Sequence, residues 1–303
     1  MRSSKQYQLV CITKNGTNPA YQGARIGARR VAEAAGHSVT SYFPQKPDDV
    51  SEQIELLKDA LATQPDAILL APAHPTAMNA TIEKVRAAAI PLVTFVSRPQ
   101  GIEPDCFVTS DNYALAYEIA QHLIARLNGV GKIVIIEGSP ASETSPPRTQ
   151  GFRDAAAQYS GIEIIASGIG NYQRDDARQA MKTILAQCPE IDGVLCANDY
   201  MGIGVIDAMI EAGRHAPIVS VNAMPDAIKA LHDGQLVATA AFDAMKIACA
   251  ATHAAIRLLS GQPVPGVIEL PVEIVTAENC AGWDKPYETR DLPRWSDLVP
   301  EKS

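Results

Sequence analysis

Short apolar runs alternate with longer helical patterns along almost the whole 303-residue chain, and this alternation restricts the possible fold more than any other feature. YQLVCIT ends in the polar loop KNGTNPAY, and a helical pattern from Tyr21 to Ala35 follows. HSVTSYF precedes DDVSEQIELLKDALATQ, and DAILLAPA precedes PTAMNATIEKVRAAA. IPLVTFV leads through DCFVTSDN to a helix expected near 112–127. The order continues with GKIVIIEGS, a helix near 146–158, IEIIASGIG, a helix near 173–187, DGVLCAND, a helix near 200–212, PIVSVN and a helix near 225–233. LVATAAF, a long helix near 243–260 and VIELPVEIV close it. Continuous apolar strands between helices mean parallel sheet covered on both faces. About twelve strands are too many for one comfortable open sheet, so they are divided between two doubly wound α/β lobes. An internal echo supports the division: LKDALATQPDAILLAPA resembles MKTILAQCPEIDGVLCAND, each a helix, a Pro-containing turn, a buried strand and a polar exit.

Charge and motifs exclude several functions. With 26 Lys and Arg against 34 Asp and Glu, a net charge of -8 and no basic block, neither nucleic acid nor an anionic membrane surface is an expected partner. No apolar run approaches the roughly 18 residues of a membrane span. The start MRSSKQYQLV lacks the hydrophobic core of a signal peptide, which leaves a cytosolic protein or one whose leader was removed. The six cysteines form no C-x-x-C pair, and Cys11 and Cys196, inside apolar runs, read as buried free thiols. KNGTNPAYQG lacks the glycines of a dinucleotide loop, and Gly202 and Gly204 fall inside a helical pattern. No P-loop, no G-x-S-x-G elbow and no histidine pair at metal spacing is present. His74 is the one histidine at a strand end, where a turn histidine is the plainer reading than a general base. Neither a cofactor nor a catalytic group is expected.

In open parallel sheets ligands bind beyond the carboxyl ends of the strands. The loops there are KNGTNPAY, PAHPT, VSRPQ, EGSPASETSPPR, GIGNYQ, ANDYM, VNAMPD and AFDAM. Two facing sets of such loops would make a cleft between lobes.

These loops, with NPAYQGARIGARRVAEAAG, IPLVTFVSR, TSDN, RTQGF, CANDYMGIGVIDAM and VNAMPDAIKALHDGQLVAT, carry a resemblance. From residue 6 to about 280 the chain resembles the type I periplasmic solute-binding proteins of ABC transporters, of the ribose-binding kind. The resemblance implies two lobes, 1–110 with 243–272 and 111–242 with 273–303, joined by a three-crossover hinge near 109–112, 240–243 and 272–276. It also implies a monomer that is periplasmic once its leader is gone, and an ABC permease as partner. The sister repressors on this fold carry a DNA-reading head for which the seven or so residues before the first strand leave no room.

Position by position, the resemblance places Asn18 at the family's ligand asparagine, Tyr21 at the second aromatic of that loop, and Ala20 where the first would stand. Ser97 and Arg98 fall at its Asp-Arg pair, Arg148 at the second-lobe arginine, Tyr172 at an aromatic wall, and Asn198 and Asp199 at its Asn-Asp pair. Asn222 stands where an aspartate is common, and Phe242 at a usual glutamine, with Asp243 beside it. Lys14 completes the candidate set. Planar Asn, Asp and Arg groups suit hydroxyls, and aromatic rings suit sugar C–H faces. Plainer roles stand beside these: a helix N-cap for Asn18, packing for Tyr21, a rim charge for Arg98, a cap for Asp199 and hinge packing for Phe242. The expected ligand is a sugar or polyol. Missing carboxylates near 96–97 and at 222 keep an acidic sugar or phosphorylated polyol open, and a sensory input to a membrane receptor would share the pocket. The tail WDKPYETRDLPRWSDLVPEKS reads as irregular surface packing.

Overall fold

The computed structural model describes residues 5–299. The elements begin β1 (Gln8–Ile12), α1 (Pro19–Ala34), β2 (Ser38–Tyr42), α2 (Val50–Ala62), β3 (Ala67–Leu70), α3 (Asn79–Ala87), β4 (Leu92–Phe95) and β5 (Cys106–Ser110). They continue α4 (Asn112–Arg126), β6 (Val130–Glu137), α5 (Ser145–Ala157), β7 (Gly161–Ile169), α6 (Arg174–Gln187), β8 (Gly193–Cys196), α7 (Asp199–Glu211), β9 (Ile218–Val221) and α8 (Pro225–His232). The last are β10 (Ala238–Ala240), α9 (Ala244–Leu259), β11 (Val267–Leu270), β12 (Ile274–Val275), a short 3₁₀ turn at Cys280–Gly282 and α10 (Trp295–Leu298).

The chain forms two compact units. One comprises residues up to Thr109, Ala244–Leu270 and the segment from Tyr287; the other comprises Ser110–Asp243 and Pro271–Pro286. The first holds a six-stranded sheet in the order β11-β5-β4-β3-β1-β2, and the second repeats the plan as β12-β10-β9-β8-β6-β7. In each, the first two strands of the unit are adjacent and the third lies on the far side of the first. This is the doubly wound order in which the strand-end loops beside that first strand diverge and leave a crevice.

Burial explains why the strands read as unbroken apolar runs. β3, β4, β8 and β9 are buried at every residue, as expected with helices on both faces. The edge strands β2 and β7 are exposed or half-buried throughout. In the first unit Val10, Ile12, Ile68, Leu70 and Leu92 pack with Leu57, Ile82 and Val85 of the covering helices. Each such side chain contributes about 1.5–3 kcal/mol on leaving water.

VIELPVEIV is two strands in two sheets, at the place where a crossover near 272–276 is expected: Pro271 has no N–H to continue a ladder, and beyond it β12 pairs antiparallel with β10. Two features differ from expectation. The chain changes unit a fourth time, between Pro286 and Tyr287. The final segment, expected with the second lobe through 273–303, therefore returns to the first from Tyr287 on. Tyr287 is buried with Val31, Met245 and Cys249, and the Arg30 guanidinium donates to the Tyr287 and Arg290 carbonyls at 2.7 and 2.8 Å. It is thus part of a core rather than surface packing, held by a ring and an arginine that no periodicity announces. All six cysteines are free, and burial pushes the Cys11 thiol up to about 12, as an inert hydrophobe should be.

Candidate functional site

In the first unit the loop after β1 is built around Asn15. Its Oδ1 accepts from the Thr17 N–H (2.9 Å), the Thr17 hydroxyl (3.0 Å) and the Asn18 N–H (2.8 Å). The loop thereby turns into α1, where Asn18 is the N-cap: its Oδ1 accepts from the Ala20 N–H at 3.0 Å, and Pro19 occupies the first turn. The cap uses the side-chain oxygen, so what Asn18 can offer a ligand is its amide donors. Lys14 is only 3% exposed, and its Nζ donates to Ser97 Oγ at 3.2 Å. Ser97 reaches that place through a tight turn. Val96 has φ +67°, and the Ser97 N–H donates to the Phe95 carbonyl at 2.7 Å. A β-branched residue there is strained, of order 1–3 kcal/mol, and such strain collects at functional loops. Tyr21 is buried. Arg98 is exposed, with its guanidinium 5.4 Å from the Phe107 ring. His74 is a turn residue whose Nδ1 accepts from the Thr76 and Ala77 N–H groups at 3.1 and 3.2 Å.

In the second unit Arg148 is the centre. It is 3% exposed; its Nε donates to Asn112 Oδ1 at 2.8 Å and its Nη1 to the Ala197 carbonyl at 2.6 Å. The guanidinium lies 4.7 Å from the Phe242 ring and 5.8 Å from the Tyr172 ring. Tyr172 has φ +59°, and its hydroxyl bonds Thr144 Oγ1 at 2.9 Å. A Cβ on Gly138 would lie 2.2 Å from that ring, so the approach requires glycine.

Asn198 caps α7 by accepting from the Met201 N–H at 2.9 Å. Asp199, 1% exposed, accepts from the Ser220 and Thr239 hydroxyls and from the Met224 N–H. Burial pushes its pKa up, while these bonds and the positive charge of Arg148 hold it down. It therefore acts as an internal strut joining α7, β9, β10 and the loop after β9, not as the cap or free acceptor that its position invites. That loop is strained as well: Asn222 has φ +132° and Ala223 +53°. The Asn222 amide donates to the Phe242 carbonyl at 3.2 Å and the Ala223 N–H to Thr239 Oγ1 at 3.2 Å. Phe242 and Asp243 are buried at the end of this stretch.

The folded units thus gather Lys14 with Ser97 in one, and Arg148, Tyr172, Asn222 and Phe242 in the other. Sequence reading missed Asn15, Asn112, Thr144, Ser220 and Thr239. Asn15 had a signal, since Asn two residues before Thr is a side-chain turn pattern. The others orient their partners from a distance in sequence. Among the described residues no group of His, Cys, Asp and Glu could hold a metal ion.

A family model described as a periplasmic binding protein domain matches residues 9–263. A D-ribose/D-allose-binding protein of Pseudomonas aeruginosa is 32% identical over 89% of this chain and 89% of its own length. A xylitol-binding protein of Mycolicibacterium smegmatis is 28% identical over 68% of this chain and 60% of its own. An ABC transporter solute-binding protein of Actinobacillus succinogenes, solved with bound D-allose, superposes with a TM-score of 0.87 at 25% identity, covering 91% of this chain and 99% of that one.

Proposed function

This chain belongs to the periplasmic binding protein family, and on that premise we propose that it binds a neutral sugar or polyol and delivers it to an ABC transporter permease. The family is one of binding components without catalysis. Relatives named for D-ribose, D-allose and xylitol support the ligand class. The observation that carries the reading is the guanidinium of Arg148, buried against the Phe242 and Tyr172 rings at the carboxyl ends of the strands. It combines a fixed fork of donors with apolar ring faces, which is what a polyhydroxylated solute requires.

The groups proposed for solute recognition stand at strand ends: Lys14, Asn18, Tyr21, Ser97 and Arg98 in the first unit; Arg148, Tyr172, Asn198, Asp199, Asn222, Phe242 and Asp243 in the second. Within this set Asp199 acts from behind, through the loop it holds. A monomer located in the periplasm after loss of a leader fits this role.

The neutral ligand is favoured because the relatives are named for D-ribose, D-allose and xylitol, all uncharged compounds. Isothermal titration with D-ribose, D-allose, xylitol, gluconate and ribose 5-phosphate at low and high salt tests both points. A neutral compound should bind more tightly, with little salt dependence. Preference for the anions, weakening with salt, would reverse the charge assignment, and heat from none of the five would remove the sugar and polyol reading.

A further inference from the structure

The loop between β2 and α2 contains Asp48, a residue outside the set that the sequence singles out. Its backbone is left-handed, φ +58°, and its N–H donates to the Lys14 carbonyl at 2.8 Å. One carboxylate oxygen, Oδ1, is buried without a hydrogen-bond partner. The polar groups facing this carboxylate are Lys14 and Asn15, which favour its ionised form against the cost of burial. Two more groups of the first unit close around the same loop. Arg25 donates from Nη1 to Thr13 Oγ1 (2.8 Å) and the Asn15 carbonyl (3.0 Å), with its guanidinium 4.4 Å from the Phe43 ring. That ring lies so close to Gly16 that a Cβ there would be 2.4 Å from it.

The loop after β1 therefore sits in a cradle of Arg25, Phe43 and Asp48. On a half-buried aspartate, a buried oxygen without a partner is costly, as is a left-handed non-glycine backbone. Fold stability does not account for placing both at one residue, whereas holding a recognition loop does. We propose that Asp48 is a positioning residue for solute recognition, locking the Lys14–Asn18 loop from behind so that Lys14 and Asn18 present their donors at set angles. The proposal rests on the reading above that this loop contacts the solute, but its structural half is independent of any ligand.

Asp48→Gly and Asp48→Asn separate the contributions, because both residues accept the left-handed backbone. Glycine removes the side chain; asparagine keeps its shape and an acceptor. Amide exchange of the ligand-free protein should quicken at Asn15, Thr17 and Asn18 in Asp48→Gly, leave the β1, β3 and β4 amides as they were, and return to the wild-type pattern in Asp48→Asn. In titration with D-allose, Asp48→Gly should bind at least fivefold more weakly and Asp48→Asn within about twofold of wild type. Unchanged loop exchange in Asp48→Gly, exchange raised evenly through the strands, or wild-type D-allose affinity in Asp48→Gly would each overturn the proposal. Wild-type protein that ignores D-allose counts against the ligand reading alone, and the exchange comparison still decides the role of Asp48.

Discussion

Single side chains here do double duty, and the two duties can be separated. Asn18 caps α1 with its oxygen, and its amide donors are the part proposed to meet a solute. Asn18→Asp retains the capping oxygen and loses the donors, so its melting should match wild type while D-allose binding weakens by about 1–3 kcal/mol. Asn18→Ala should lose both, with about 1 kcal/mol of stability going with the cap. Titration beside thermal melting reads the two losses; equal affinity in Asn18→Asp would take Asn18 out of the site. Asp199 is the opposite case, a carboxylate at a position associated with ligands whose bonds run inward to Ser220, Thr239 and Met224. Asp199→Ala strands those donors in a buried place, so chemical denaturation should show a loss of about 2–4 kcal/mol. A variant as stable as wild type would show that the strut carries no load. The sequence made Asn18 and Arg148 legible because their neighbours form recognisable loops. It could not show that Asp199 turns inward, since its partners lie about 20 and 40 residues away and only the sheet brings them near.

At the scale of elements, the returning C-terminal segment behaves as a strap across α1 and α9. His253 on α9 lies beneath it, its Nε2 at 3.1 Å from the Pro293 carbonyl, and Arg257 stacks 4.6 Å from the Trp295 ring. Burial lowers the pKa of His253, the nearby Arg257 lowers it further, and the Pro293 bond works the other way. With a folded pKa below the ordinary value of about 6.5, the unfolded chain binds the proton more readily. The associated stability is complete above about pH 6.5 and is lost as the pH falls through the lower folded value. Thermal melting between about pH 7.5 and 4.5 should fall less steeply in His253→Gln than in wild type; parallel curves would place the acid sensitivity elsewhere. The strap also shows where periodicity stops being informative. Helices α4 to α9 begin and end within two residues of where their apolar spacing puts them. A segment held by one tyrosine and backbone carbonyls has no period to read.

For the whole molecule, binding is a stability term. A solute that binds only the folded chain adds RT ln(1 + [L]/Kd), about 2.7 kcal/mol at a hundredfold excess over Kd. D-allose at that excess should therefore raise the melting temperature, and the rise should shrink in Asn18→Asp in proportion to its lost affinity. A melting temperature indifferent to D-allose, xylitol and D-ribose alike would contradict the assigned ligand class. By itself the sequence determined the two-sheet α/β architecture, because unbroken apolar runs between amphipathic helices have no other way to bury both faces. It also determined the loops in which polar groups gather, because doubly wound sheets leave their strand ends open. The tertiary structure decided which polar groups in those loops are committed to holding the fold, as Asn15 and Asp199 are. It also decided that β12 pairs antiparallel with β10 and that the chain end returns to the first unit. Each of these depends on hydrogen bonds and ring contacts between residues far apart in the chain, and local pattern carries no record of distant partners.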